Sequence, residues 1–203
     1  MIYGLSVSNV NLRHIHIAVP PAQTTTPGSE IIRHRYIRRT SASQLDIAVT
    51  DIDQTITDCL VDASFVEGLI IADSVLHEQL MSKKHLIATV DELGRGRRGV
   101  AMARWVAQQA DGLSESGGES KARALMIERG WQVPELQVEL PDPVEPGGVY
   151  RVDYLWRVGD RLIIGEFDGF IKSEKAAAEG KLAKAQFDER QRESRLTMLD
   201  SCK

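Results

Sequence analysis

Asp153, Glu166 and Asp168 stand inside a segment, 150–172, that otherwise reads as two β-strands joined by a tight turn. Acidic side chains are poor strand residues, so these acids mark either a solvated face or a place that holds something. Gly159-Asp160 is a two-residue pair of the kind that closes a hairpin. With that turn, Val158 pairs with Arg161, Arg157 faces Leu162, Leu155 faces Ile164, Asp153 faces Glu166 and Arg151 faces Asp168. On the other side Val152, Tyr154 and Trp156 meet Phe167, Gly165 and Ile163, a uniformly apolar set. Directly opposed residues have Cβ atoms about 4.5–5.5 Å apart, where like charges repel. Asp168 lies on the same face, diagonal to Asp153. A hard cation such as Mg²⁺ or Mn²⁺ would remove the repulsion, since it takes oxygen ligands and often binds through only one or two carboxylates. The alternative is an open sheet end where Arg151 and water neutralise the acids. A longer loop would shift the register and spoil the opposition.

Glu119 is a candidate fourth acid. Ala122 and Met126 lie on its side of a helix expected over 119–129, which turns it inward. "SGGE" ending at Glu119 is also a capping box, in which the carboxylate reaches back to the Ser116 amide. The two roles are compatible. His14 and His16 share one face of a strand, but without a third ligand such a pair is plain strand alternation more often than a metal site. Cys59 and Cys202 form neither a CxxC motif nor a Cys/His cluster, which argues against a disulfide framework or structural zinc.

These residues need elements to position them. The chain of 203 residues is long enough for a real core, as one domain or two small ones, and its 42% hydrophobic and 27% charged content is that of a globular protein. "DGLSESGG" marks a boundary that separates a mixed β-then-α region, 1–112, from a domain over 113–203. In the first region "RHIHIAVP" and "EIIRHRYI" alternate like strands, and helical patterning follows over 55–77, 82–92 and 99–110. In the second, the helix over 119–129 stops at Gly130, and "ELQVEL", "YRVDYLW" and "RLIIGEF" follow as strands. "PDPVEPGG" is a long hairpin loop, and 173–199 is rich in strong helix formers. The fold class expected is α/β in the broad sense, α+β in detail.

A net charge of −4 gives no global footprint of nucleic-acid binding. Basic character is local: Arg33, Arg35, Arg38 and Arg39 in one run, Arg95, Arg97 and Arg98 in another, each read first as solvated surface. No apolar run is long enough for a membrane span and no signal segment follows Met1, so the expectation is a cytoplasmic chain that does not engage a membrane.

A helix bearing Glu119, three meandering strands with Asp153 on the second and Glu166 on the third, and then a helix, resembles the PD-(D/E)XK nuclease fold. "SESGGES…VDYLW…IIGEFDG…K…ERQRESRL" is similar to the Vsr-like (very-short-patch-repair endonuclease-like) type of that fold. "IHIAVP", "IIRHRYIRR" and "TDIDQTITDCLVDASFVEGLIIADSVLHE" resemble the type IV abortive-infection antitoxin (AbiEi-like) region that commonly precedes it. The resemblance implies a restriction-endonuclease-like α-β-β-β-α core after a smaller antitoxin-like region. It implies that Asp153 and Glu166 are metal-binding acids for Mg²⁺ or Mn²⁺, that Glu119 is the helix acid, and that the substrate is nucleic acid, DNA before RNA. A toxin partner is a further implication.

Asp168 occupies the place of the motif's lysine, a residue that orients the attacking water, and Lys172 is the nearest cation in the following loop that could replace it. The resemblance also leads one to expect a winged helix-turn-helix at the start and another sheet strand after the last helix. Neither is legible, so the chain reads as trimmed, with a homodimer as one way to cover the exposed sheet edge. Three outcomes follow from these observations: a metal-dependent nuclease, a non-catalytic DNA-associated module of an antitoxin-like or regulatory protein, or a degraded product without specific activity.

Overall fold

Ser64 divides what the apolar pattern makes a single helix over 55–77 into two, α1 (Ile52–Asp62) and α2 (Phe65–His77). Its backbone is extended, with φ −68° and ψ 168°, and it caps α2 through a reciprocal box with Glu67. The Glu67 amide donates to Ser64 Oγ at 3.4 Å, while the Ser64 amide and hydroxyl donate to the Glu67 carboxylate at 3.2 and 2.8 Å. The apolar period hides the break because Leu60 and Val61 on one side, and Phe65 and Leu69 on the other, are all buried. The signal was present as Ser-x-x-Glu.

A computed structural model of the chain describes residues 3–8, 14–19, 30–35, 41–44, 46–142, 145 and 147–167. The helix expected over 173–199, together with Asp168, Lys172, Arg38, Arg39 and Cys202, lies outside the described residues. The fold is mixed α+β. The chain divides into two compact units, Met1–Ala124 and Leu125–Lys203, and the division falls in the sequence of the helix α5 (Gly117–Glu128).

The first unit opens with two short sheets. β1 (Ile15–Val19) and β2 (Ile31–Arg35) pair in parallel, with Ile15 against Ile31 and Val19 against Arg35. β3 (Ser41–Gln44) and β4 (Ile47–Thr50) form an antiparallel pair. α1, α2, α3 (Lys83–Leu93) and α4 (Val100–Gln109) then pack around a core that includes Ile56, Leu60, Phe65, Leu69, Val75, Leu86, Val90 and Val106. Side-chain caps fix two of the other starts: Asp51 accepts from the Gln54 amide at 2.8 Å, and Ser82 accepts from the His85 amide at 3.2 Å. α4 touches each of the other three helices. Small residues allow that approach: Ala103 and Ala107 on α4 are buried, and a Cβ on Gly68 of α2 would sit 3.0 Å from the Val106 side chain. Phe65 and Trp105 stack with ring centroids 3.9 Å apart.

α5 ends as the sequence predicts. Gly130 has φ +66°, its amide donates to the Ile127 carbonyl at 3.0 Å, and the Trp131 amide donates to the Met126 carbonyl at 3.0 Å. Only glycine takes this conformation without steric cost. Beyond it, β5 (Glu135–Pro141), β6 (Val149–Val158) and β7 (Arg161–Gly165) form an antiparallel sheet in the order β5-β6-β7. The β6–β7 register matches the one derived from the turn, running from Val158↔Arg161 through Leu155↔Ile164 to Tyr154↔Gly165. Gly159 has φ +60°, which suits the first central position of a type II′ turn. The long loop closes with the Asp142 amide donating to the Gly148 carbonyl at 2.8 Å.

Leu140, Val152 and Leu155 are the buried centre of this sheet, with Val138, Leu162 and Ile164 packed against them. Trp156 is anchored by its indole N–H, which donates to the Gln132 carbonyl at 2.7 Å. Its ring lies so close to Gly165 that an added Cβ would meet Cζ3 at 2.9 Å. Gly165→Ala is therefore expected to destabilise the sheet by about 1–3 kcal/mol through overpacking. A shift of the denaturant midpoint checks this, and an unchanged midpoint would mean that the indole does not lie over Gly165. Among the described residues no helix is long and apolar enough to cross a membrane.

Candidate functional site

The Asp153 carboxylate is the centre of the hairpin's acidic end. It projects half-buried from the middle of β6. Oδ2 accepts the Phe167 amide at 2.8 Å, and Oδ1 accepts the Gln137 side-chain amide at 3.3 Å. The expected ladder runs as far as Tyr154↔Gly165 and there β7 ends. Where the register would set Asp153 against Glu166 as a strand pair, the chain has left the strand, and Asp153 instead takes the amide of the next residue, Phe167. This difference has a physical origin. A carboxylate that captures a backbone amide competes with the ladder for that donor, and two facing carboxylates in a regular pair would repel.

Gln137 was not anticipated. It lies on β5 between the pairs Leu136↔Tyr154 and Val138↔Val152, at the level of Asp153. Its φ is +50°, a left-handed value in the middle of a strand. For a non-glycine residue that conformation costs about 1–3 kcal/mol. Nothing in the residue type announces it, because glutamine lacks the left-handed tolerance of Asn or Asp.

Glu119 caps its own helix. Oε1 accepts the Ser116 hydroxyl at 2.7 Å, Oε2 accepts the Glu115 amide at 2.9 Å, and the Glu119 amide donates to Ser116 Oγ at 3.2 Å. The box is the expected one, with the reach-back shifted from the Ser116 amide to that of Glu115. Glu119 belongs to the first compact unit, while Asp153 and Glu166 belong to the second. Asp168 and Lys172 lie outside the described residues. Among those described, no three or more His, Cys, Asp or Glu side chains group as a metal cage.

No family model matches the chain, and no solved structure matches it. Two uncharacterized proteins of Mycobacterium tuberculosis do, Rv2248 of strain H37Rv and MT2308 of strain CDC 1551. Each is 39% identical over 84 residues, which cover 41% of this chain and 30% of the relative. The match thus spans about three tenths of the length of the curated relatives.

The basic runs separate on inspection. Arg97 pairs with Asp58 at 2.5 Å and is spent on joining the α3–α4 loop to α1, whereas Arg95 and Arg98 are exposed. Arg33 is half-buried on β2. The most deeply buried charges lie elsewhere. Asp73, on the apolar side of α2, is fully buried and grips Arg123 of α5 through both oxygens at 2.7 Å. The signal for it was an acid set among Leu69, Ala72 and Leu76 at helical spacing.

Proposed function

We propose that the chain from residue 113 onward follows the PD-(D/E)XK nuclease plan of the Vsr-like type, and that the protein hydrolyses phosphodiester bonds in nucleic acid with Mg²⁺ or Mn²⁺. The observation that carries this reading is the Asp153 carboxylate bound to the backbone amide directly after Glu166, on a hairpin whose register the sequence anticipates. The order of a helix followed by three antiparallel strands supports it. The donor set fits a hard cation: two carboxylates, with each Asp153 oxygen accepting one described hydrogen bond and keeping a further lone pair.

In this scheme Asp153 and Glu166 hold the ion. When bound, the ion supplies Lewis-acid polarisation of the phosphodiester and a water of lowered pKa. Gln137 holds Asp153 in place. Lys172 or an exposed arginine of the first unit offers a contact to the nucleic-acid backbone, with DNA preferred over RNA. The first unit takes the antitoxin-like role. On this plan the protein works in the cytoplasm, with a toxin or a second copy of itself as partner.

A second reading has its own observation. Both Glu119 oxygens accept capping hydrogen bonds, and an acid, Asp168, stands where the motif has lysine. This favours a non-catalytic, DNA-associated module that retains the fold without the chemistry.

Calorimetric titration with Mn²⁺ of the whole chain beside Asp153→Asn and Glu166→Gln decides between them. Saturable binding weakened at least about tenfold in both variants, a change of about 1.4 kcal/mol, is the expected result. A folded parent that binds no Mn²⁺ would end the nuclease reading. DNA binding that weakens steeply with salt and never leads to cleavage would then support the second.

A further inference from the structure

His16 and His34 bring two ring nitrogens together away from the hairpin. They stand on neighbouring parallel strands, His16 on β1 and His34 on β2, with rings stacked at a centroid distance of 5.0 Å and an interplanar angle of 16°. Nδ1 of His16 lies 2.8 Å from Nε2 of His34. At that distance one proton must be shared, because two protonated nitrogens would set donor against donor. On its far side, His34 Nδ1 faces the Asp62 carboxylate at 3.8 Å, at the C-terminal end of α1. The carboxylate favours the tautomer with the proton on Nδ1 and leaves Nε2 as a lone pair aimed at His16.

We propose that His16 and His34, with Asp62 behind His34, form a binding site for a borderline divalent transition-metal ion of the Zn²⁺ class. At 3.8 Å Asp62 stands beyond hydrogen-bond distance and acts on His34 as a charge; closing on the ring would make it the carboxylate that orients a metal-bound imidazole. Imidazole donors select Zn²⁺, Cu²⁺, Ni²⁺ or Co²⁺ over the hard cations that suit Asp153 and Glu166. The two rings must part and turn so that their lone pairs converge on the ion. With Zn–N bonds of about 2.0–2.1 Å, a tetrahedral ion sets two nitrogens about 3.4 Å apart, so the rings part by roughly half an ångström. His16 is exposed at its strand position, which gives it room to move and leaves the remaining coordination positions to water. Its own proton passes from Nδ1 to Nε2 through solvent when the ion takes Nδ1. Burial first, and then the neighbouring His34 and His14, lower the His16 pKa from its ordinary 6.5, with Asp62 opposing. The ring is therefore neutral and available at pH 7.

The test uses the whole chain and Zn²⁺ alone, followed by calorimetry, with His16→Gln, His34→Gln, Asp62→Asn and, as a control, a substitution of the exposed α3 histidine, His85→Gln. The tightest binding event in the parent is expected to be lost in both histidine variants, weakened up to about tenfold in Asp62→Asn and unchanged in His85→Gln. Long-range ¹H–¹⁵N spectra of the histidine rings in the parent give a reading that needs no variant: Zn²⁺ should shift His16 Nδ1 and His34 Nε2 together. No saturable binding, binding indifferent to both histidine substitutions, or ring signals that do not move would each overturn the proposal.

Discussion

Asp73→Ala is expected to cost about 3–5 kcal/mol of stability, the range for breaking a buried ion pair by removing one partner. Arg123 would be left charged and only 3% exposed. Its Nη2 would lose both carboxylate oxygens, its Nη1 would keep only the Gln109 carbonyl at 2.8 Å, and its Nε already has no partner. The Asp111 amide, which donates to Asp73 Oδ1 at 2.8 Å, would be orphaned as well. Replacing a buried ion pair by apolar groups of similar volume is nevertheless often neutral or stabilising. Burial pushes the Asp73 carboxyl up from its ordinary 3.8, against the opposing pull of Arg123 and the Asp111 amide. A folded-state pKa above the unfolded one means that the folded chain binds this proton more tightly. The group's contribution is then fully present below the unfolded pKa and declines as pH rises through the folded one. Asp73 therefore does not drive acid unfolding. The paired substitution Asp73→Leu with Arg123→Met should recover most of what Asp73→Ala loses. Denaturant midpoints of the single and double variants check both statements; a single variant as stable as the parent would mean that Arg123 has another partner.

How far the sequence discloses this molecule depends on whether the information is local. Gly159-Asp160 fixes the β6–β7 register because a two-residue turn admits one pairing, and Gly130 and Ser82 set helix boundaries through their own backbone and hydroxyl chemistry. Ser64 and Glu67 carried an equally local signal, masked by an apolar period that suits one long helix or two short ones packed on the same core. What was not legible is what arises between elements. The partner of Asp73 is Arg123, 50 residues on, and no pattern in either helix names the other. The parallel pairing of β1 with β2, which sets His16 against His34, likewise comes from topology rather than from the alternation of either strand.

The candidate site shows the same division. Asp153 and Glu166 were singled out as candidates from register alone, but their relation is not a simple cross-strand pair, because Asp153 captures the Phe167 amide and β7 stops at Gly165. The capping role of Glu119 was legible as Ser-x-x-Glu, and it is the one visible in its hydrogen bonds. Gln137 escaped because its left-handed backbone answers to the sheet around it and not to its own side chain. A strained residue beside a half-buried carboxylate is the kind of local inconsistency that collects at functional sites. That makes the surroundings of Asp153 the first place to look for chemistry.

Gly99→Ala is expected to lower the stability of the first unit by about 3 kcal/mol, combining a left-handed backbone cost of about 1–2 kcal/mol with overpacking of a further 1–3 kcal/mol or so. Gly99 opens α4 with φ +84° and no side-chain cap, and its carbonyl accepts the Ala103 amide at 3.0 Å. A Cβ there would overlap the Val61 carbonyl oxygen and come within 2.9 Å of the carbonyl carbon. Both are backbone atoms at the end of α1, so no side chain can rotate away. Relief requires α4 to withdraw from α1, and α4 also touches α2 and α3, so the withdrawal loosens the whole helical core. Gly96 supplies the control. It too has a positive φ, +73°, yet nothing lies within 4 Å of the Cβ it would gain. Gly96→Ala should therefore show the backbone cost alone, about 1–2 kcal/mol. The difference between the two variants, measured by denaturant unfolding, isolates the contact between the start of α4 and the end of α1. Equal losses would mean that α4 does not enter the core as closely as Gly99 permits.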